Sequence, residues 1–273
     1  MDTLSFIGRP DGLGNRLEEI ILLEAVCARD AIACEYVWSS KHAHRAYAVL
    51  CSAQRVSIRE TGPSYPLRTW AELPTGFARE EMLAAARLIR PAFELSFPRG
   101  ERPIGIHIRA TDRIGKIHPH FMRDEEELKL YLSSTIALIN ALSPRAVFVC
   151  SESPECRAAL VKRLHPGIEV VAPQVSPDVP GEYADFFALS LCDEIFMSSK
   201  FSSYALVAAM IGNARLHTFV DDAGVRDRYK LDYVLHACGS ENVVSERLVQ
   251  RDVLARCREL FRAALPRKGA RRT

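Results

Sequence analysis

Ile104-Gly105-Ile106-His107-Ile108-Arg109-Ala110-Thr111-Asp112-Arg113-Ile114-Gly115 begins as an apolar run and ends in ionisable residues. Four of its first five residues, introduced by Pro103, are small or β-branched and suit a strand buried in a parallel sheet. Nothing in such a strand explains why it should finish in His107, Arg109, Asp112 and Arg113. Alternation along a strand puts His107 and Arg109 on one face. An arginine fork can bind two oxygens of a diphosphate at once and neutralise charge as a leaving group departs. The same arginine also fits a structural ion pair with an aspartate of the loop.

The pattern on either side of this stretch alternates strand and helix. Downstream, Asp124 to Leu142 reads as a helix, with Asp124 as its cap and three glutamates in the first turn, where the helix dipole favours them. Ala146 to Cys150 reads as a strand, Pro154 to Leu164 as a helix and Ile168 to Val171 as a strand. Pro173 to Pro180 reads as a loop, Tyr183 to Leu191 as a helix, Glu194 to Ser198 as a strand, and Ser202 to Ile211 as a helix ending at Gly212. Leu216 to Phe219 makes a further strand, and Ser245 to Leu265 a long helix stopped by Pro266. Upstream, Leu4 to Ile7 is a short strand, Gly8 to Gly14 a glycine-rich turn, Asn15 to Arg29 a helix and Cys34 to Trp38 a second strand, which together form a βαβ unit. Residues 39–75, interrupted by Pro63, Pro66 and Pro74, carry no readable element. Arg79 to Ile89 is helical and stops before Pro91. The fold class is α/β, with parallel sheets covered by helices and ligands at the carboxyl ends of strands.

A boundary near residues 92–102 divides the chain into an N-terminal unit, 1–97, and a C-terminal unit, 98–245. A C-terminal helix, 246–265, and a basic tail, 266–273, follow.

Two more segments place glycines or hydroxyls where a strand hands over to a helix. In Asp11-Gly12-Leu13-Gly14-Asn15-Arg16 the glycines let backbone approach a ligand, and the helix that follows offers free N–H groups to an anion. The same loop also reads as a tight turn capped by Asn15. In Ser198-Ser199-Lys200-Phe201-Ser202-Ser203-Tyr204 hydroxyls gather at a helix start, a natural phosphate site, although Ser202 equally reads as an ordinary cap.

Composition sets limits on partners. Lys and Arg number 36 against 34 Asp and Glu, and Arg267, Lys268, Arg271 and Arg272 sit in the final eight residues, so the body is close to neutral. That argues against nucleic acid, which needs clustered cations. No run of 18 or more apolar residues is present and no signal-type start, so a soluble, cytoplasmic chain without a membrane span is expected. The eight cysteines are spread singly without a CxxC pair, as buried free thiols are, and His42, His44 and a cysteine do not make a closed zinc set.

Gly12-Leu13-Gly14-Asn15-Arg16-Leu17, Ile104 to Gly115 and Phe201-Ser202-Ser203 resemble, in order and spacing, the three motifs of the superfamily of α1,6-fucosyltransferases, nodulation fucosyltransferases and protein O-fucosyltransferases. The resemblance covers most of residues 4–220. It implies a GT-B-like fold of two Rossmann-like domains facing across a cleft, with the acceptor side in 1–97 and the nucleotide-sugar side in 98–245. It also implies inverting transfer from a GDP-sugar co-substrate to a hydroxyl-bearing acceptor, with no metal or other cofactor required. On matching positions, His107 would lie at the guanine or ribose, Arg109 at the β-phosphate, and Ser202 and Ser203 near the diphosphate. Arg113 would belong to the same donor site, and Gly12, Gly14, Asn15 and Arg16 would face it across the cleft. The chain departs from the pattern at Ala110, where the α1,6 enzymes usually carry a second arginine. It departs again after Gly115, where Lys116-Ile117-His118-Pro119-His120 stands in place of an acidic residue. The base that takes the acceptor's proton is left among Asp11, Asp112 and His118, each of which has a structural reading as cap, ion-pair partner or solvated loop residue. The short chain favours a small or oligosaccharide acceptor.

Overall fold

The structure, a computed structural model, describes residues 4–8, 12–38, 50–60, 68–69, 77–100, 102–110, 114–115, 122, 124–220 and 243–247. The N-terminal part contains β1 (Leu4–Ile7), α1 (Leu13–Asp30), β2 (Cys34–Val37), β3 (Cys51–Ser52), β4 (Val56–Arg59), β5 (Arg68–Thr69) and α2 (Arg79–Ala86). β6 (Arg90–Pro91) and β7 (Leu95–Ser96) lead to β8 (Ile104–Ile108), α3 (Glu125–Leu142), β9 (Ala146–Ser151), α4 (Pro154–Val161), β10 (Glu169–Val171) and β11 (Gln174–Val175). Then come α5 (Gly181–Ser190), β12 (Glu194–Met197), α6 (Ser203–Gly212), β13 (Arg215–Val220) and β14 (Val243–Arg247).

Two sheets carry the architecture: a four-stranded one in the order β4-β2-β1-β5 and a six-stranded one in the order β10-β9-β8-β12-β13-β14. Every pairing in both is parallel, as the alternating βα pattern requires. One face of the six-stranded sheet, with Ile106, Ile108, Val147, Val149 and Phe196, packs on α3 and α4. The opposite face, with Phe148, Cys150, Ile195 and Met197, joins α5, α6 and α1 in a core that continues into the four-stranded sheet through Phe6, Tyr36 and Trp38.

Most expected elements are present with small shifts at their ends. Asp124 accepts the Glu127 N–H at 2.9 Å and caps α3 as its sequence suggests. Several readings need correction. The expected loop 173–180 contains β11, which pairs antiparallel with β7 through Gln174↔Ser96 and Val175↔Leu95. Residues 39–75 do contain strands, β3, β4 and β5. α4 ends at Val161 rather than Leu164, with Lys162 as its C-cap. Ser245 does not start a helix, because Val243–Arg247 is a strand paired with β13, Thr218 opposite Ser245. β-branched Val243 and Val244 fit an added strand better than a helix start. The rest of the expected C-terminal helix and the basic tail lie outside the described residues. α6 runs through Gly212 and is closed by Asn213 in the left-handed conformation, φ 53°. Gly212 serves packing instead: a Cβ there would lie 2.0 Å from the Ser190 carbonyl oxygen.

Candidate functional site

The carboxyl ends of β8 and β12 lie side by side, Met197 opposite His107, and the Ser198 N–H donates to the His107 carbonyl at 2.8 Å. His107 is buried. Its Nε2 lies 2.9 Å from the Ser202 hydroxyl and its Nδ1 3.5 Å from Cys150 Sγ. Its ring stacks on Tyr204 with centroids 4.9 Å apart and an interplanar angle of 18°. Ser202 occupies the N-cap position of α6, but its side chain is turned to His107 and makes no capping bond to the helix.

Gly14 brings the first glycine-rich segment to this point. It lies in the first turn of α1, which begins at Leu13 with Gly12 as N-cap, so Asn15 is a helical residue rather than the cap. A Cβ on Gly14 would stand 2.6 Å from the Tyr204 nitrogen and 2.7 Å from the Ser203 carbonyl carbon. Only glycine lets the two helix starts approach this closely. Neither Gly12 nor Ser202 caps its helix with its own side chain, and neither α1 nor α6 has an acidic residue in its first turn. Two helix N-termini, each favouring negative charge, therefore meet beside the end of β8.

Arg109 continues β8 one residue further, on the same face as His107. Its side chain is 27% exposed, and Nε lies 4.0 Å from Glu152 Oε1, an oxygen that also accepts the Ala110 N–H. Burial pushes the Tyr204 phenol well above its ordinary range; Cys150, Asp185 and Glu182 push the same way, and Arg109 opposes them. The phenol donates to the Glu182 carbonyl at 2.6 Å. Burial likewise raises the Asp185 carboxyl of α5 to about 6, against the opposing pull of Arg157. Asp185 can therefore act as hydrogen-bond donor or acceptor near neutral pH.

No protein-family profile and no curated protein matches this sequence. Among solved structures, POFUT1 in complex with GDP superimposes with a TM-score of 0.51 at 12% identity, over 91% of this chain and 98% of that one. The chain therefore shares its fold with that protein. Fucosyltransferase NodZ from Bradyrhizobium also matches, with a TM-score of 0.48 at 13% identity over 76% of this chain and 93% of that one.

Within this fold the three segments singled out in the sequence meet, Gly14 against Ser203 and His107 against Ser202, with Arg109 two residues beyond His107. Gly12 is exposed, and a Cβ on it would meet nothing within 4 Å. Arg16 is fully buried, its guanidinium carbon 4.9 Å from the centre of the Trp38 ring, so it faces the interior next to the first sheet. Asp11, Asp112, Arg113 and His118 lie outside the described residues. Sequence reasoning overlooked Asp185, although an acid set between Tyr183 and Phe186-Phe187 was a usable signal of partial burial. It also overlooked Glu152, which stands at the end of β9 and has no sequence mark of its own.

Proposed function

We propose that this chain is an inverting, metal-independent glycosyltransferase that moves fucose or a related sugar from a GDP-sugar to a hydroxyl of a small or oligosaccharide acceptor. The observation that carries the proposal is the meeting of two helix N-termini at Gly14, Ser203 and Tyr204, with Arg109 near enough to oppose the rise of the Tyr204 phenol. Backbone N–H groups at two helix starts and a guanidinium in the same neighbourhood suit a diphosphate whose negative charge grows as the glycosidic bond breaks. The fold it shares with POFUT1, solved with GDP, supports the choice of nucleotide.

In this reading residues 98–245 hold the donor, 1–97 supply the acceptor side, and 246–265 with 266–273 complete the chain. Arg109 binds the β-phosphate and stabilises the departing GDP. Ser202 and Ser203, with the start of α6, hold the diphosphate, while Gly14 brings the start of α1, with Gly12 and Asn15, against the same point. His107, fixed to Ser202, sets the depth of the nucleotide pocket, and Arg113 adds positive charge. The acceptor hydroxyl loses its proton to a base drawn from Asp11, Asp112 and His118 as its oxygen attacks the anomeric carbon from the side opposite the diphosphate, which inverts that centre.

The test is a thermal-shift screen of GDP, UDP and ADP, followed by GDP-sugar turnover in excess chelator for the parent, Arg109→Ala and Arg109→Lys. GDP should raise the melting temperature most, because a ligand selective for the folded state stabilises it. Turnover should survive chelation, and both variants should lose roughly 100- to 1,000-fold in rate while melting like the parent. Preference for another nucleotide, dependence on added Mg²⁺ or Mn²⁺, or a normally active Arg109→Ala would overturn the reading.

A further inference from the structure

The connection from β12 to α6, residues 198–202, is fixed at both ends by His107. The Ser198 N–H donates to the His107 carbonyl at 2.8 Å, and the Ser202 hydroxyl lies 2.9 Å from His107 Nε2. Between these anchors stands Lys200, only 7% exposed and therefore far from the ordinary state of a solvated loop lysine. Its ammonium lies 3.3 Å from Glu127 Oε1, with side chains 9% and 11% exposed. Glu127 sits in the first turn of α3, its own N–H held at 2.9 Å by Asp124. The same loop also touches α3 through Thr135, which donates to Ser198 at 2.9 Å. Thr135 and Glu127 are eight residues apart, about 12 Å along the helix, so the loop is tied to two separate points of α3.

We propose that Lys200 and Glu127 form a buried latch that positions the start of α6 for the donor's diphosphate. The pair acts through the backbone of residues 198–202 and does not itself touch the ligand. Its location explains why two charges are kept in so dry a place. α3 ends the segment that follows β8 and Arg109, whereas the loop leads to Ser202, Ser203 and the N-terminus of α6. The latch therefore locks the arginine-bearing and the hydroxyl-bearing parts of the site in one register. Replacing Glu127 takes from the buried Lys200 the carboxylate that it faces, and replacing Lys200 removes the tie from the loop's side; either change frees the loop at its midpoint while the His107 contacts remain. The functional half of this inference rests on the donor site proposed above; the structural half does not.

Glu127→Gln separates a latch from a cation that grips the ligand, because the two roles predict opposite signs. If Lys200 touches the donor, removing the competing carboxylate leaves GDP binding unchanged or tightens it. If Lys200 is a latch, Glu127→Gln and Lys200→Met both speed amide hydrogen exchange at residues 198–202 in the ligand-free protein, and both weaken GDP binding about tenfold, as a misplaced binding group does. The charge-exchanged double variant, Lys200→Glu with Glu127→Lys, should regain exchange protection and come back to within about threefold of the parent's affinity for GDP. Unchanged loop exchange in Glu127→Gln, tighter GDP binding in that variant, or failure of the exchanged pair to restore either property overturns the latch. A parent that does not bind GDP but shows the loosened and restored exchange pattern refutes the donor site and leaves the latch standing.

Discussion

At the residue scale, the most informative group is one whose environment opposes its charge. Asp185 is held to a pKa of about 6 against an ordinary 3.8, chiefly by burial. A carboxyl raised in this way binds its proton more tightly folded than unfolded. Stability is therefore highest below about pH 4, falls as pH rises towards 6, and is flat above that. Asp185→Asn removes the cost of ionisation and should raise the melting temperature by a few degrees at pH 7.5, a gain that vanishes near pH 4. Melting curves of parent and variant across that range are the check; a variant less stable at pH 7.5 would show that Arg157 outweighs burial. What the sequence revealed at this scale was residue type and local spacing. It showed Arg109 and His107 on one face, but the contact of His107 with Ser202 joins residues 95 positions apart. Lys200 in its serine-rich loop reads as a solvated side chain until α3 is placed against it.

At the scale of elements, the decisive contact is between the first turns of α1 and α6. Gly14 reads in the sequence as part of a glycine-rich turn, yet it is helical and its missing side chain is what the packing needs. Gly14→Ala keeps the helix propensity favourable but forces Cβ into the backbone of Ser203 and Tyr204. The two helices must separate, at a cost of about 1 to 3 kcal/mol, and the distance between the two sets of free N–H groups changes with them. The expected outcome is a lowered melting temperature together with loss of GDP binding larger than the stability loss accounts for. A variant that binds GDP normally would remove the α1 terminus from the site. Long, periodic elements were readable from local pattern: β1, α1, β8, α3 and β9 lie close to where the sequence put them. β6, β7 and β11, of two residues each, were not, because a strand that short is defined by its partner and has no periodicity of its own. β14 escaped for a related reason, since Ser245 is a good cap in isolation and only the edge of β13 makes it a strand.

At the scale of the whole molecule, the division near residue 97 that the sequence suggested does not coincide with a break in the apolar interior. Leu17, Ile20 and Ile21 of α1 share one core with Phe186 and Phe187 of α5 and with Leu206, Val207 and Met210 of α6. Two lobes that opened as independent bodies would have to expose those side chains to water, and burial of each is worth roughly 1.5 to 3 kcal/mol. The shared interior also makes melting indivisible: neither half can lose structure while the other keeps its own. Differential scanning calorimetry should show a single endotherm whose van't Hoff and calorimetric enthalpies agree, whereas two resolved peaks would mean that α1 and α6 part before either sheet unfolds. A chain cut after residue 97 should accordingly yield two fragments that dissolve and fold only when they are expressed together.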